Sequence, residues 1–174
     1  EAAVKGVDLS SDITNRQLIS FTHNEVKILN LDGDLILTIS SEANISQAGF
    51  SPDKKNINII TNNRVINLID LKTIKSQDEN DYAKISIDTD KIVRKISAND
   101  NITSYEFFDD GERLLVVYES IAARLWTSKG YFAGAFNHNG FINGVVISED
   151  DNFLITYSND NTARFLILRK SDSE

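Results

Sequence analysis

The chain has 174 residues, with 26 acidic against 18 basic side chains for a formal net charge of −8, and is 41% hydrophobic and 25% charged, a composition that excludes a disordered tail and supplies material for a core. The acidic excess argues against a nucleic acid or an anionic membrane as the main partner, and no apolar run approaches the roughly 20 residues that span a bilayer, so a soluble, cytoplasmic protein is expected. Cysteine is absent, which excludes disulfides and thiol chemistry, and Met is absent even at residue 1, so an internal boundary or a processing site is expected there.

In chain order, short runs of Ile, Val, Leu, Phe and Tyr bounded by Asn, Asp, Gly and Ser predict strands. The first four are Val4–Leu9, Leu18–Phe21, Val26–Leu31 and Leu35–Ser40. Ile45–Phe50, Ile57–Thr61 and Val65–Leu71 follow. Between Asp70 and Lys91 lie about 18 residues more than the repeat needs, with Ala83–Ile87 the only strand-like stretch. This insertion, about 71–90, is expected to form a protruding loop or an added hairpin, dispensable from Ser76 to Asp88. Ile92–Ser97 resumes the pattern, followed by Ile102–Phe108, Leu114–Tyr118, Ala123–Thr127 and Phe132–Phe136, then by Val145–Ser148, Phe153–Tyr157 and Ala163–Leu168.

The chain repeats itself. Leu35 to Phe50, Ile92 to Phe107 and Phe132 to Ile147 align without a gap, and the landmarks Leu9, Phe50, Phe107 and Ile147 are 41, 57 and 40 residues apart. Four antiparallel strands about every 40 residues predict the blades of an all-β propeller. One partial propeller is expected over 1–174, with blades at about 4–40, 43–97, 101–136 and 140–168, the last of three strands.

Three motifs recur in register: Phe50-Ser51-Pro52-Asp53, Arg124-Leu125-Trp126, and Ser158-Asn159-Asp160-Asn161-Thr162-Ala163-Arg164. They resemble the FSPD turn, the RLW strand and the SxDxTxR hairpin of WD40 repeats, and the resemblance covers essentially the whole chain. It implies a tie of His, Ser or Thr, Asp and Trp in each regular blade. The fourth unit offers His138, Thr156 or Ser158, and Asp160, with Leu166 in place of Trp. The third keeps Trp126, with Ser120 at the Asp position and Ala98 at the His position. The second has Ser41, Asn63 and Leu68, and the first has Leu29 at the Trp position. The remnants are therefore His138, Ser158, Asp160 and Trp126, and these degenerate blades are expected to rely on apolar packing.

No constellation for catalysis is evident. His23 and His138 are the two histidines, and no phosphate-binding glycine motif occurs, Asp32-Gly33-Asp34 reading as a hairpin turn. His138 is expected to tie its blade to Asp160 or backbone, His23 to be exposed in a turn, and Trp126 to be core. Asp78-Glu79-Asn80-Asp81 lacks the pattern of a calcium loop. No catalytic, cofactor-binding or metal-binding residue is expected, and no cofactor.

Propeller geometry places Asp12, Asp53, Asp109, Asp110, Glu112, Glu149, Asp150 and Asp151 on one acidic, solvated rim, joined by Asp78, Glu79, Asp81, Asp88 and Asp90 of the insertion. On the opposite face, the usual partner-binding side in the resembling family, lie Glu42, Asn44, Asn62, Arg64, Asp100, Asn101, Glu119, His138, Phe141, Asn143 and Asn159. Phe141 is the candidate anchor. The expected function is a non-catalytic protein-interaction scaffold. The alternatives are a ligand-binding or enzymatic propeller using a central channel, and a purely structural assembly module. Expected partners are other proteins, the remaining blades of a longer parent chain, or a second copy closing the ring. The edge Phe165-Leu166-Ile167-Leu168 needs such cover.

Overall fold

Short β-branched runs broken by Asn, Asp and Gly give sixteen strands of four to six residues among the described residues. The computed structural model describes residues 3–10, 16–62, 64–74, 83–87, 93–97, 100–119 and 121–168. The protein is all-β, with four sheets distributed over two compact units, Glu1–Ser97 and Ala98–Glu174.

In the first unit, β1 (Gly6–Leu9), β2 (Gln17–Phe21), β3 (Glu25–Asn30) and β4 (Leu35–Ser40) pair in sequence as antiparallel neighbours and form the first sheet. The second sheet comprises β5 (Ile45–Phe50), β6 (Asn56–Thr61), β7 (Val65–Asp70) and β9 (Val93–Ser97). Their shared core joins Ile19, Val26, Ile28, Leu37 and Ile39 of the first sheet to Ile45, Ile57, Ile59 and Ile69 of the second, all essentially buried. Asp8 adds a polar tie between the sheets, since its carboxylate accepts the Phe50 N–H at 2.9 Å.

In the second unit, the third sheet is β10 (Ile102–Phe107), β11 (Arg113–Tyr118), β12 (Ala122–Thr127) and β13 (Phe132–Asn137). The fourth is β14 (Ile142–Ile147), β15 (Phe153–Ser158) and β16 (Ala163–Ile167). Phe108, Leu115, Val117 and Ala123 pack against Ile142 and Leu154.

The sequence repeat is also a repeat of backbone irregularities. A register shift falls between Ile45 and Gln47, between Ile102 and Ser104, and between Ile142 and Gly144, in the first strand of three sheets. Such a bulge leaves one residue outside the ladder and bends the strand. The turn after each of these strands holds one residue in left-handed conformation at the same position, namely Lys54 (φ 58°), Gly111 (φ 67°) and Asp151 (φ 61°).

The insertion differs from expectation. After β7, Asp70 caps a 3-10 turn over Leu71–Thr73, accepting the Lys72 N–H at 2.9 Å. The segment then supplies β8 (Ala83–Ser86), which runs parallel to β4 with Leu37 opposite Ala83 and Ile39 opposite Ile85. Its described stretch, Ala83–Ser86, is therefore a fifth strand of the first sheet, paired to the edge of β4 where the sequence predicts a protruding loop or an added hairpin. Ile87 next to it is 2% exposed, within the core. Deletion of Ser76 to Asp88, which removes β8 and the buried Ile87, is thus expected to destabilise the first sheet. Ile87→Ala should cost about 2–4 kcal/mol in urea unfolding, the range for emptying a buried Ile site, and a loss below about 1 kcal/mol would remove Ile87 from the core.

Candidate functional site

The loop from β13 into β14 carries His138, Asn139, Gly140 and Phe141, and the turn between β15 and β16 folds against it. Gly140 is required there, because a Cβ would lie 2.8 Å from the Asp160 backbone nitrogen. Ser158 Oγ donates to the Gly140 carbonyl at 2.9 Å and accepts the Asp160 N–H at 3.1 Å. Asn161 takes a left-handed φ of 62° to complete the turn.

This closure brings His138 between two partners. Nδ1 lies 3.1 Å from Asp160 Oδ2, and Nε2 lies 2.8 Å from Thr156 Oγ1. Because an ionised carboxylate only accepts, Nδ1 carries the proton and Nε2 accepts from the Thr156 hydroxyl. Asp160 also accepts the Thr162 hydroxyl at 2.6 Å and the Asn139 N–H and Thr162 N–H at 2.9 Å each. The Thr162 hydroxyl foremost, then the Asn139 N–H, hold this carboxyl well below the usual carboxylate range against the opposing effect of burial. Asp160, His138 and Thr156 stand in the order of a nucleophilic triad, but the Thr156 hydroxyl residue is 0% exposed and His138 2%. The chain of hydrogen bonds ties the loop, β15 and the following turn together.

Since folding lowers the pKa of Asp160, the folded state binds fewer protons in acid than the unfolded one. Its stabilisation is complete above about pH 5, where the unfolded carboxyl is also ionised, and is lost progressively as the pH falls through and below the ordinary carboxylate range. The urea midpoint of wild type should therefore drop between pH 5 and strong acid, within the usual carboxylate titration range. Asp160→Asn should be less stable at neutral pH and flatter in acid, and parallel curves for the two proteins would contradict this assignment.

The other expected surface residues occupy repeated positions. Asn62 N–H donates to the Asn44 carbonyl at 2.9 Å, Glu119 N–H to that of Asn101 at 2.7 Å, and Asn159 N–H to that of Phe141 at 2.9 Å. Asn44, Asn101 and Phe141 are thus equivalent, and all three are exposed. Asn101 Nδ2 donates to Glu119 Oε2 at 2.5 Å, and Asn143 Nδ2 to Asn159 Oδ1 at 2.7 Å. In the first unit, Glu42, Asn44, Asn62 and Arg64 are exposed, with Arg64 at a φ of 66° matching Asn161 in the fourth sheet. In the second unit, Asp100, Asn101, Glu119, Phe141 and Asn143 are exposed. His138, expected on this surface as well as in a tie, is buried and belongs to the tie alone.

Of the two hydroxyls proposed for the tie, Thr156 meets His138, while Ser158 binds the Gly140 carbonyl. Trp126 is half-buried, donates Nε1–H to the Tyr118 hydroxyl at 3.2 Å and meets Phe132 edge-on at 5.6 Å. By register, Trp126 corresponds to Leu29, Ile69 and Leu166, so Ile69 and not Leu68 stands at that position in the second sheet. Ser41 donates to the Ala43 carbonyl at 2.6 Å. Asn63, Ala98 and Ser120 lie outside the described residues.

At the opposite turns, Asp53 and Asp150 organise their own loops. Burial opposes ionisation of Asp53, but the Ser51 hydroxyl and the backbone and ammonium of Lys55 outweigh it and lower its pKa. The Ser148 hydroxyl, then Asn152, lower that of Asp150. Asp151 is 3% exposed rather than solvated, because its carboxylate accepts the Asp109 and Asp110 N–H groups at 2.9 Å each and lies 3.6 Å from the Arg113 guanidinium. Asp12, Asp78, Glu79, Asp81, Asp88 and Asp90 lie outside the described residues. Among the described residues, no three His, Asp or Glu side chains are disposed to hold a metal ion, and no helix is long and apolar enough to cross a membrane. Neither a family model nor a curated protein matches the chain.

Proposed function

We propose that the chain is a non-catalytic protein-interaction scaffold, built as a WD40-like propeller of about four blades whose loop ends meet a protein partner. The recurring bulges and left-handed turns support a repeated blade, and the sealed position of Thr156 and His138 supports a structural role for that triad-like group. The observation that carries the reading is Phe141. It is 57% exposed, replaces the Asn found at the two equivalent positions, and sits on a loop clamped by Gly140, Ser158 and Asp160. A rigid, exposed aromatic beside adaptable amides such as Asn143 and Asn159 is the chemistry of an interface anchor.

Phe141→Ala should weaken capture of a protein partner by about 1 kcal/mol or more, the threshold for a significant interface residue, while leaving thermal stability near wild type. Unchanged binding would remove Phe141 from the interface, and a loss of several kcal/mol of stability would make it core.

A further inference from the structure

The chain builds one kind of sheet-on-sheet contact twice. Ala48, Phe50, Ile57 and Ile69 of the second sheet pack onto the first. At the same register positions, Val145, Ile147, Leu154 and Leu166 of the fourth pack onto the third. The first sheet carries Val7, Leu9, Leu18 and Leu29 at these positions, yet Val7 is 66% and Leu9 57% exposed. The match extends to the polar neighbours, since Ser20 and Lys27 stand where the fourth sheet has Thr156 and Arg164.

The receiving side shows the same correspondence. Leu115, Val117 and Leu125 of the third sheet form the surface on which the fourth packs. Their register equivalents in the fourth sheet, Ile155, Tyr157 and Phe165, are exposed, Phe165 at 61%. Gly144 shapes this face, because a Cβ there would lie 2.5 Å from the Tyr157 hydroxyl oxygen. With Val146 and Ile167 the face presents a contiguous apolar surface of the kind that marks an interaction site.

We propose that these two faces bind each other between copies of the chain, the Val7–Leu9–Leu18–Leu29 face of one molecule seating on the Ile155–Tyr157–Phe165 face of the next. The chain carries both halves of a contact that it already forms internally, with apolar groups in the same places. The association is head-to-tail, a heterologous contact in which each molecule offers two different surfaces. It uses sheet faces and not the loop end of Phe141, so it stands or falls apart from the proposed partner surface.

The test uses the intact chain and two single substitutions at exposed positions, Leu9→Glu and Phe165→Glu, with mass measured by light scattering well above micromolar concentration. Wild type should exceed the monomer mass, each variant alone should be monomeric, and an equimolar mixture of the two should regain a dimer, since one intact face of each kind remains. Recovery in the mixture also shows that both variants are folded. If circular dichroism shows Phe165→Glu unfolded, Ile167→Lys on the same face replaces it in the mixture. Phe141→Ala should self-associate like wild type. A monomeric wild type overturns the proposal, as does a Leu9→Glu variant that self-associates as well as wild type, which would mean like faces pairing with like, or a mixture that stays monomeric.

Discussion

His138→Ala is expected to destabilise the unit Ala98–Glu174 by about 3 kcal/mol, combining a cavity with an abandoned buried hydroxyl. His138 is buried between Thr156 and Asp160, at 2.8 and 3.1 Å. Removing the imidazole empties its volume and leaves the fully buried Thr156 hydroxyl without its acceptor. It also takes one of the donors that hold Asp160 in place over the Asn139 and Thr162 N–H groups. His138→Gln, which keeps a donor and an acceptor on a shorter side chain, should recover part of the loss. Thr156→Val in the His138→Ala background should recover part of it as well, because it removes the stranded polar atom, and such non-additivity is the signature of a shared network. Equilibrium urea unfolding followed by circular dichroism measures the differences. A His138→Ala loss below about 1 kcal/mol, the size of a single ordinary hydrogen bond, would mean that the tie is not stabilising.

Asp151→Ala should cost a similar amount, about 3 kcal/mol, from two stranded backbone donors together with backbone strain, Arg113 keeping Asp110 as its partner at 2.8 Å. Its carboxylate reaches from the turn after β14 to the turn after β10, where it accepts two successive backbone N–H groups at 2.9 Å and faces Arg113. Its backbone is left-handed at a φ of 61°, a conformation in which Ala is strained and Asn or Gly is tolerated. The series is therefore ordered. Asp151→Asn keeps one acceptor and the turn and should lose least, Asp151→Gly keeps the turn but no acceptor, and Asp151→Ala loses both. Thermal unfolding of the three variants tests the order, and an Ala variant more stable than the Gly variant would contradict the part assigned to the backbone.

Much of this architecture is legible in the residues. Strands with alternating apolar side chains and Asn, Asp or Gly turns mark themselves, and β15 shows why, with Leu154 and Thr156 buried while Phe153, Ile155 and Tyr157 face out. What escapes is long-range pairing. Ala83–Ser86 is readable as a strand, but nothing local says that it will lie parallel to β4, because strands β5 to β7 intervene in the chain and no turn announces the pairing. The choice between Thr156 and Ser158 escapes for a related reason. Residues two apart point to the same side of a strand, so both hydroxyls face the buried side and only their height along β15 separates them. Assigning Leu68 instead of Ile69 to the Trp126 position is a slip of one residue, which in a strand exchanges one face for the other. Asp151 is recognisable as the left-handed residue of a repeated turn, yet its reach into the neighbouring turn depends on how two sheets pack. Among surface residues, the exposure of Phe141 follows from its equivalence to Asn44 and Asn101, which the gapless alignment already contains.

The measurement that tests the central claim most directly is photo-crosslinking from two exposed aromatic positions of the second unit, Phe141 in the loop entering β14 and Tyr131 in the turn between β12 and β13. Each is replaced in turn by a photoreactive phenylalanine, and crosslinked products are compared by mass. A scaffold that binds through the loop end should give a discrete protein adduct from position 141, lost on competition with unlabelled wild type, and none from position 131. Equal labelling from both positions, or an adduct from position 131 alone, would contradict the account.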